Sequence, residues 1–110
     1  MHYYNFNIGD YQTHTAHLDP LEDIAYRRLI DWQFLHERPI PLDIEVVAKQ
    51  IRMRTHSECI AYVLQEYYDE TPEGYINKRV TQEIERFHDK SDKARASAKK
   101  RWRNNGDANA

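Results

Sequence analysis

The feature that most restricts the fold of this chain is a pair of predicted short helices joined by a very tight link. Asp43 can cap a helix from Ile44 to about Arg52. Thr55 and Glu58 form a Thr-x-x-Glu capping box, which predicts the start of the next helix. Two short helices with so short a connection are what a helix-turn-helix requires. The apolar positions predicted to be buried in this pair are Val46, Val47, Ile51, Ile60, Val63, Leu64 and Tyr67.

A longer helix precedes this pair. Asp19 is a good N-cap residue, Pro20 suits the first helical position, and Glu22 completes a capping box with Asp19 in the cap role. Two prolines shortly after His36 stop the helix, which is predicted to run from about Pro20 to His36. Its apolar residues recur at three- and four-residue spacing and are expected to face the core: Leu21, Ile24, Ala25, Leu29, Trp32 and Leu35.

A hairpin and a last helix complete the predicted architecture. The run Thr71-Pro72-Glu73-Gly74 between aromatic segments is typical of a hairpin turn, and a hairpin directly after a helix-turn-helix is the wing of a winged helix. The last helix is predicted from about Val80 to an end signal at Asn104-Asn105-Gly106. The predicted fold class is mainly α and winged-helix-like, a helix-turn-helix plus a short β-hairpin wing, followed by a long basic C-terminal helix.

The net charge of −2 conceals a strong asymmetry along the chain. From residue 90 onward, seven Lys or Arg residues stand against two Asp residues, a net charge of +5, so the first 89 residues carry −7. A basic cluster attracts polyanions because binding releases their counterions. The predicted organisation is a winged-helix-like domain over 1–89, a basic helical tail over 90–104 and a disordered end over 105–110.

Three groups of residues are predicted to bind nucleic acid. The tail cations would neutralise phosphates, and Trp102 would stack on a base. The second helix of the helix-turn-helix would present polar side chains to base edges, and the exit of the hairpin would contact the backbone. This hypothesis depends on the tail lying on the same side as the helix-turn-helix and sharing its ligand. The predicted contact residues are Arg52, Arg54, His56, Ser57, Tyr62, Gln65, Lys78, Arg79, Lys90, Lys93, Arg95, Lys99, Lys100, Arg101, Trp102 and Arg103.

Each group also has a plainer interpretation. Cations near a helix end complement the helix dipole, which would account for residues 99–103 but not for the whole run from Lys90. Glu58 and Glu66 would repel phosphates, although Glu58 is expected to serve as a cap, and a winged helix can bind a protein instead. The cations at the hairpin exit can pair with neighbouring carboxylates, Lys78 and Arg79 with Glu83 or Glu85.

No pattern typical of an enzyme, a metal site or a cofactor site is visible. His14 and His17 have a His-x-x-His spacing, and His56 and Cys59 lie about one helical turn apart, but zinc needs three or four ligands. Cys59 lacks the context of a nucleophile. The three glycines form no phosphate-binding loop. The chain is therefore predicted to be non-enzymatic, with no catalytic residues, no metal and no cofactor.

The aromatic residues are predicted to divide between the core and an arm. Tyr26 and Tyr67 are expected in the core, where their hydroxyls would need partners. The aromatic residues near the N-terminus would form a short strand or an apolar arm, which by pairing with a second copy would make a homodimer. The residues of this arm are Tyr3, Tyr4, Phe6 and Tyr11.

The sequence also favours the bacterial cytoplasm. No segment approaches the roughly 18 consecutive apolar residues of a membrane span, so no membrane contact is predicted. The N-terminus shows no secretory signal, and the single cysteine, Cys59, makes no internal disulfide.

Several runs resemble the YdaU-like family of phage and prophage proteins. These are Asn7-Ile8-Gly9-Asp10-Tyr11, the long run from His17 to Asp31 with Ala25-Tyr26-Arg27-Arg28-Leu29 inside it, Pro39-Ile40-Pro41-Leu42-Asp43, and Asp92-Lys93-Ala94-Arg95-Ala96. The resemblance covers roughly residues 2 to 100. It implies a gene in a phage replication region, beside helicase-loader-like proteins, and it provides no catalytic residues.

Two functions remain open. The first is a non-enzymatic phage or prophage DNA-binding accessory protein that acts in replication initiation on duplex or single-stranded DNA. The second is a protein–protein adaptor whose acidic body binds a helicase, a helicase loader or another host factor.

Overall fold

The computed structural model describes the backbone of residues 1–109 and the side chains of residues 1–100. It is mainly helical, with a two-stranded antiparallel hairpin and a long C-terminal helix. The elements follow in the order α1 (Ile8–Thr15), α2 (Pro20–His36), α3 (Ile44–Gln50), α4 (Ser57–Tyr67), β1 (Asp69–Thr71), β2 (Gly74–Ile76) and α5 (Lys78–Asn109). Among the described residues, no helix combines the length and the apolar composition that crossing a bilayer requires.

Helix α1 was not predicted; it begins just after Tyr3, Tyr4 and Phe6, which the structure places in neither a helix nor a strand. Asn7 caps it, because the Asn7 side chain accepts a hydrogen bond from the Asp10 amide at 3.0 Å. Gly9 and Asp10 lie in the first turn of this helix. The helix was missed because it has little apolar periodicity of its own and is held by Tyr11, whose ring packs against Tyr26 with centroids 5.7 Å apart.

Helix α2 has the predicted bounds and start. Pro20 occupies its first turn, and the Glu22 carboxylate accepts a hydrogen bond from the Asp19 amide at 2.9 Å. The buried surface is broader than predicted because α4 and α5 both pack on this helix. Of the predicted core positions, Ala25, Leu29 and Trp32 are buried, whereas Leu21, Ile24 and Leu35 are exposed. The further buried residues are Tyr26, Ile30, Gln33 and Phe34.

Helix α3 begins at Ile44 with Asp43 as its N-cap, as predicted, but it ends at Gln50, two residues before the predicted end. Arg52 turns the chain out of the helix, because its φ of 61° is left-handed. The Arg28 guanidinium then donates hydrogen bonds to the carbonyls of Ile51 and Arg52, at 3.0 and 3.2 Å. Val47 and Ile51 are buried as predicted, while Val46 is exposed.

The predicted capping box of α4 does not form. The helix begins at Ser57 with His56 in the N-cap position, so Thr55 lies in the preceding turn. The turn is closed by a hydrogen bond from the His56 amide to the Met53 carbonyl, which displaces the helix start by one residue. Glu58 is exposed rather than engaged as the reciprocal cap. The predicted core positions Ile60, Val63 and Leu64 are confirmed as buried.

The hairpin is confirmed, with its turn between Thr71 and Gly74. Ile40 extends it, because its amide and carbonyl both bond Tyr75 of β2, at 2.9 and 2.8 Å. Gly74 makes this close approach possible. Its φ is +137°, and a Cβ there would lie 2.4 Å from the Ile40 carbonyl oxygen. The hairpin is thereby tied to the segment between α2 and α3.

Helix α5 begins at Lys78, slightly before the predicted Val80. Asn77 caps it, since its side-chain oxygen accepts hydrogen bonds from the amides of Arg79 and Val80, at 3.0 and 3.2 Å. The helix bounds extend to Asn109, past the end predicted at residues 104–106, because a glycine only weakens a helix interior. The molecule measures 65 × 30 × 22 Å, which reflects the length of α5.

Candidate nucleic-acid interface

The tail cations with described side chains are all exposed. Arg95 pairs with Asp92 at 3.3 Å within the helix. No other cation of this group has a carboxylate within 4 Å among the described residues. The last turn of α5 contains no basic residue, so its dipole does not account for these charges. The exposed group comprises Lys90, Lys93, Arg95, Lys99 and Lys100, while the side chains of Arg101, Trp102 and Arg103 lie outside the described residues.

Several of these cations share one face of α5. At 3.6 residues per turn, five basic residues fall within an arc of about 80° and extend along about 32 Å of helix. Glu83 and Asp89 lie near the margins of this arc, and Arg95 and Lys99 lie on the other side of the helix. We call this row the α5 stripe, and its members are Arg79, Arg86, Lys90, Lys93 and Lys100. Arg86 was not predicted, although its position seven residues after Arg79 was the available signal.

The start of the α5 stripe contacts the N-terminal part of the chain. Arg79 forms an ion pair with Asp10 of α1, and Arg86 pairs with Glu83 at 2.7 Å. The predicted pairing of Arg79 with Glu83 or Glu85 is therefore wrong, because folding brings α1 closer to Arg79. Lys78 is exposed, without a carboxylate within 4 Å among the described residues.

A groove of about 520 Å³ lies between the N-terminal segment and α5. We call it the arm groove. Residues 5–7 and α1 form one wall, the buried rings of Tyr26 and Phe34 contribute to the floor, and Arg79 and Arg86 stand on the α5 side. Its lining combines aromatic carbon, side-chain amides, the guanidinium groups of Arg79 and Arg86, and the carboxylates of Asp10 and Glu83. No residue of α3, α4 or the hairpin is among those that line it.

The N-terminal aromatic residues pack on the body in a continuous series of rings. Phe6 lies 5.2 Å from Tyr11, and Tyr26 stacks on Tyr67 at 4.1 Å. The Arg27 guanidinium covers the Phe6 ring at 4.0 Å. Tyr26 is confirmed as buried, whereas Tyr67 is only half-buried at the edge of the core; partial burial and the nearby Glu66 raise the pKa of Tyr67 to about 12.

The predicted arm is folded onto its own chain rather than extended. Tyr4 stacks on Phe34 at 4.0 Å and donates a hydrogen bond to Asp31, and Tyr11 donates one to Asp23. Of the four predicted arm residues, Tyr3 alone is strongly exposed, at 88%. The homodimer stays a prediction; the rings of Tyr4, Phe6 and Tyr11 each contact their own chain and stay half-buried, so part of each ring is still accessible.

The helix-turn-helix cations form a separate group. Arg52, Arg54 and His56 line a shallow depression at the α3–α4 turn, together with Lys49. No hydrogen bond or ion pair in the described part of the chain joins this group to the α5 stripe. Because both groups are cationic, no direct bond between them is expected, and the idea that tail and helix-turn-helix share one ligand stays a prediction.

The exposed face of α4 is acidic where base-reading residues were predicted. Tyr62 and Gln65 are exposed and Ser57 is half-buried, but Glu58 and Glu66 flank them. The nearby Glu66 carboxylate raises the pKa of the Tyr62 phenol, and the carboxylates of Glu22 and Asp19 add to the effect. Glu66 also lies 2.5 Å from His17. These carboxylates would repel phosphates, so this face suits a nucleic acid poorly.

The histidine pairs do not converge on a common point. His14 contacts the Asp10 carbonyl at 2.8 Å, while His17 contacts Glu66. Within the described residues, no three His, Cys, Asp or Glu side chains lie close enough to hold a metal ion. Burial raises the pKa of the Cys59 thiol, and nearby carboxylates act in the same direction, so its thiolate is disfavoured.

Comparison with known proteins gives a family but no activity. Residues 2–85 match the family model described as a protein of unknown function, DUF1376. No match was found among curated proteins or among solved structures. The matched span contains α1 to α4, the hairpin and the start of α5, so Arg86 and the tail cations lie beyond it. With most of its length matched, this chain belongs to the DUF1376 family.

Proposed function

We propose that this chain is a non-enzymatic accessory protein that binds nucleic acid through α5. In keeping with the YdaU-like resemblance, its setting would be phage or prophage replication initiation in the bacterial cytoplasm. The observation that carries the proposal is the set of exposed tail cations, of which only Arg95 has a carboxylate partner among the described residues. Unpaired lysines on a projecting helix are available to neutralise phosphates.

In this proposal the body is a winged-helix-like domain. The order of α3, α4 and the hairpin supports that assignment, as does the pairing of Ile40 with β2, which fixes the hairpin beside the helices. The acidic face of α4 argues against the usual insertion of the second helix into a groove of DNA. The body would instead position α5.

Salt dependence provides the first test. If the five cations of the α5 stripe each neutralise a phosphate, log K should fall against log salt with a slope of about −3 to −5. Replacing Lys90, Lys93 and Lys100 with Gln should weaken binding on the order of a hundred-fold at about 0.1 M salt and reduce the slope by about 2 to 3. Fluorescence anisotropy with a labelled oligonucleotide across about 50–200 mM salt measures both.

A matched control uses cations of the other group. Arg52 and Arg54 replaced together by Gln should leave the affinity within a few-fold of wild type. Absence of binding at about 50 mM salt by the intact chain would end the proposal. A larger loss in the Arg52/Arg54 variant than in the lysine variant would move the interface to the α3–α4 turn.

A second candidate function is a protein–protein adaptor, favoured by the acidic face of α4. The partner would present cations to Glu58 and Glu66, as a helicase, a helicase loader or another host factor could. Capture from a nuclease-treated host lysate should retain this partner with wild type and with the triple lysine variant, and lose it with Glu58→Lys. If nuclease removes every captured protein, the adaptor proposal fails.

A further inference from the structure

The arm groove and the α5 stripe form one path, from which we infer that the ligand is a single strand. The strand's backbone follows the α5 stripe, and one unstacked base enters the arm groove. This inference rests on the proposed nucleic-acid function and specifies its substrate class. Its basis is that the same two side chains, Arg79 and Arg86, belong both to the stripe and to the lining of the groove.

The α5 stripe extends along about 32 Å of helix, with its closest spacing from Arg86 to Lys93. Measured from Arg79 at 1.5 Å per residue, its other four cations lie at about 11, 17, 21 and 32 Å along the helix. At about 3.4 Å per nucleotide of a stacked strand, this length accommodates about nine nucleotides. Sites of this size are ordinary for proteins that bind single strands.

The arm groove has the chemistry that an unpaired base requires. Its volume of about 520 Å³ falls in the range of small-ligand pockets. Phe6 and Tyr11 offer aromatic surface for stacking, while the exposed side chain of Asn5 offers an amide donor and acceptor for a base edge. The bases of a duplex are stacked and paired, so they cannot enter such a recess without leaving the helix.

The ion pairs at the groove do not prevent phosphate binding. The side chains of Arg79 and Arg86 are 56% and 70% exposed, so their pairs with Asp10 and Glu83 are weak in water. A guanidinium has five N–H donors, and a single carboxylate does not use them all. Each arginine can therefore contact a phosphate while its carboxylate stays close.

The first test compares the two arm residues Phe6 and Tyr3. Phe6→Ala should weaken binding of a labelled thymidine oligonucleotide of about twelve nucleotides by roughly ten-fold and leave duplex binding unchanged. Tyr3→Ala, at an exposed ring outside the groove, should affect neither. Equal effects of both variants, or no effect of Phe6→Ala on a folded protein, would overturn the inference.

The second test needs no variant, which matters because Phe6 also packs on Tyr11 and Arg27. A single strand containing 5-iododeoxyuridine is cross-linked to the full chain by light, and the modified peptide is located by mass spectrometry. Cross-links to the peptide containing Phe6 and Tyr11 are expected. Cross-links confined to α4 or to the tail would overturn the inference.

The two proposals fail in different ways. If neither single strand nor duplex binds at low salt, the nucleic-acid function itself is wrong. If both bind equally and no cross-link reaches the N-terminal segment, the function stands and the single-strand inference falls.

Discussion

The body of this protein and the projecting segment of α5, residues 89–100, are held in place by different forces. In the body, buried side chains such as Leu29, Ile60 and Leu64 are almost fully removed from water. In the projecting segment nearly every side chain is exposed, and its only described ion pair joins Arg95 to Asp92 within the helix. Burial therefore stabilises one region, while helix propensity and the cap at Asn77 maintain the other.

This difference implies that stability and charge can be altered separately. A substitution in the body should change the free energy of unfolding with little effect on the salt dependence of binding. A substitution in the projecting segment should change the salt dependence of binding with little effect on the free energy of unfolding. The following variants test that separation in order of decreasing expected effect.

The largest effect is expected for Gly74→Ala. A Cβ at this position would meet the Ile40 carbonyl oxygen at 2.4 Å, and the φ of +137° strains any L side chain. We expect the free energy of unfolding to fall by about 3 kcal/mol or more, measured by urea denaturation.

Gly9→Ala is the matched control for that variant. Its Cβ would lie 3.7 Å from Asn7 Oδ1, inside helix α1, so the substitution should leave stability unchanged or raise it by up to about 1 kcal/mol. If Gly74→Ala were as stable as wild type, the close contact between Ile40 and β2 would be refuted.

An intermediate effect is expected when Ala94 and Ala98 are both replaced by glycine. Each glycine weakens an exposed helix by about 1 kcal/mol, so circular dichroism should show less helix at room temperature. The urea midpoint of the body should not move, because neither residue is part of the core. Ala25→Gly, at a fully buried position of α2, is the contrasting variant and should lower that midpoint. A lowered urea midpoint in both the double glycine variant and Ala25→Gly would contradict the separate stability of the two regions.

The smallest effect concerns two buried tyrosines. The Tyr68 hydroxyl has no hydrogen-bond partner among the described residues, so Tyr68→Phe should be neutral or stabilise by up to about 1 kcal/mol. Tyr26→Phe removes the acceptor of a hydrogen bond from Asn77 and should destabilise by a similar amount. Thermal unfolding of both variants decides this, and a destabilised Tyr68→Phe would indicate a partner for that hydroxyl.

The elements that could be predicted from sequence are those with strong local signals. Asp19 and Pro20 specify the start of α2, Asp43 specifies α3, and the turn from Thr71 to Gly74 specifies the hairpin. Helix α1 had a cap signal in Asn7 but little apolar periodicity after it, and its fixed position depends on packing against α2. The start of α4 was misplaced because the His56 amide closes the preceding turn, a choice that Thr55 alone does not reveal.

The candidate site was less predictable than the fold. The tail cations are evident from the composition of the sequence. That they share a face with Arg79 and Arg86 becomes evident only because the structure shows α5 as one unbroken helix. The arm groove joins residues 5–11 to residues 79–86, and no local pattern shows that folding brings such distant segments together. The face of α4 that was predicted to read bases is exposed as expected. Its glutamates, however, lie near two further carboxylates, those of Asp19, the N-cap of α2, and of Glu22 in α2.

One unbroken helix leads from the buried cap at Asn77 to Lys100, so α5 can act as a lever. The body contacts α5 along its first eleven residues. The outermost of these contacts is that of His88 with Glu37 at 2.7 Å. A tilt of about 5° around His88 would move Lys100 by about 1.6 Å, since the two are about 18 Å apart along the axis. A force on the outer lysines would thus be transmitted along α5 to the wall of the arm groove.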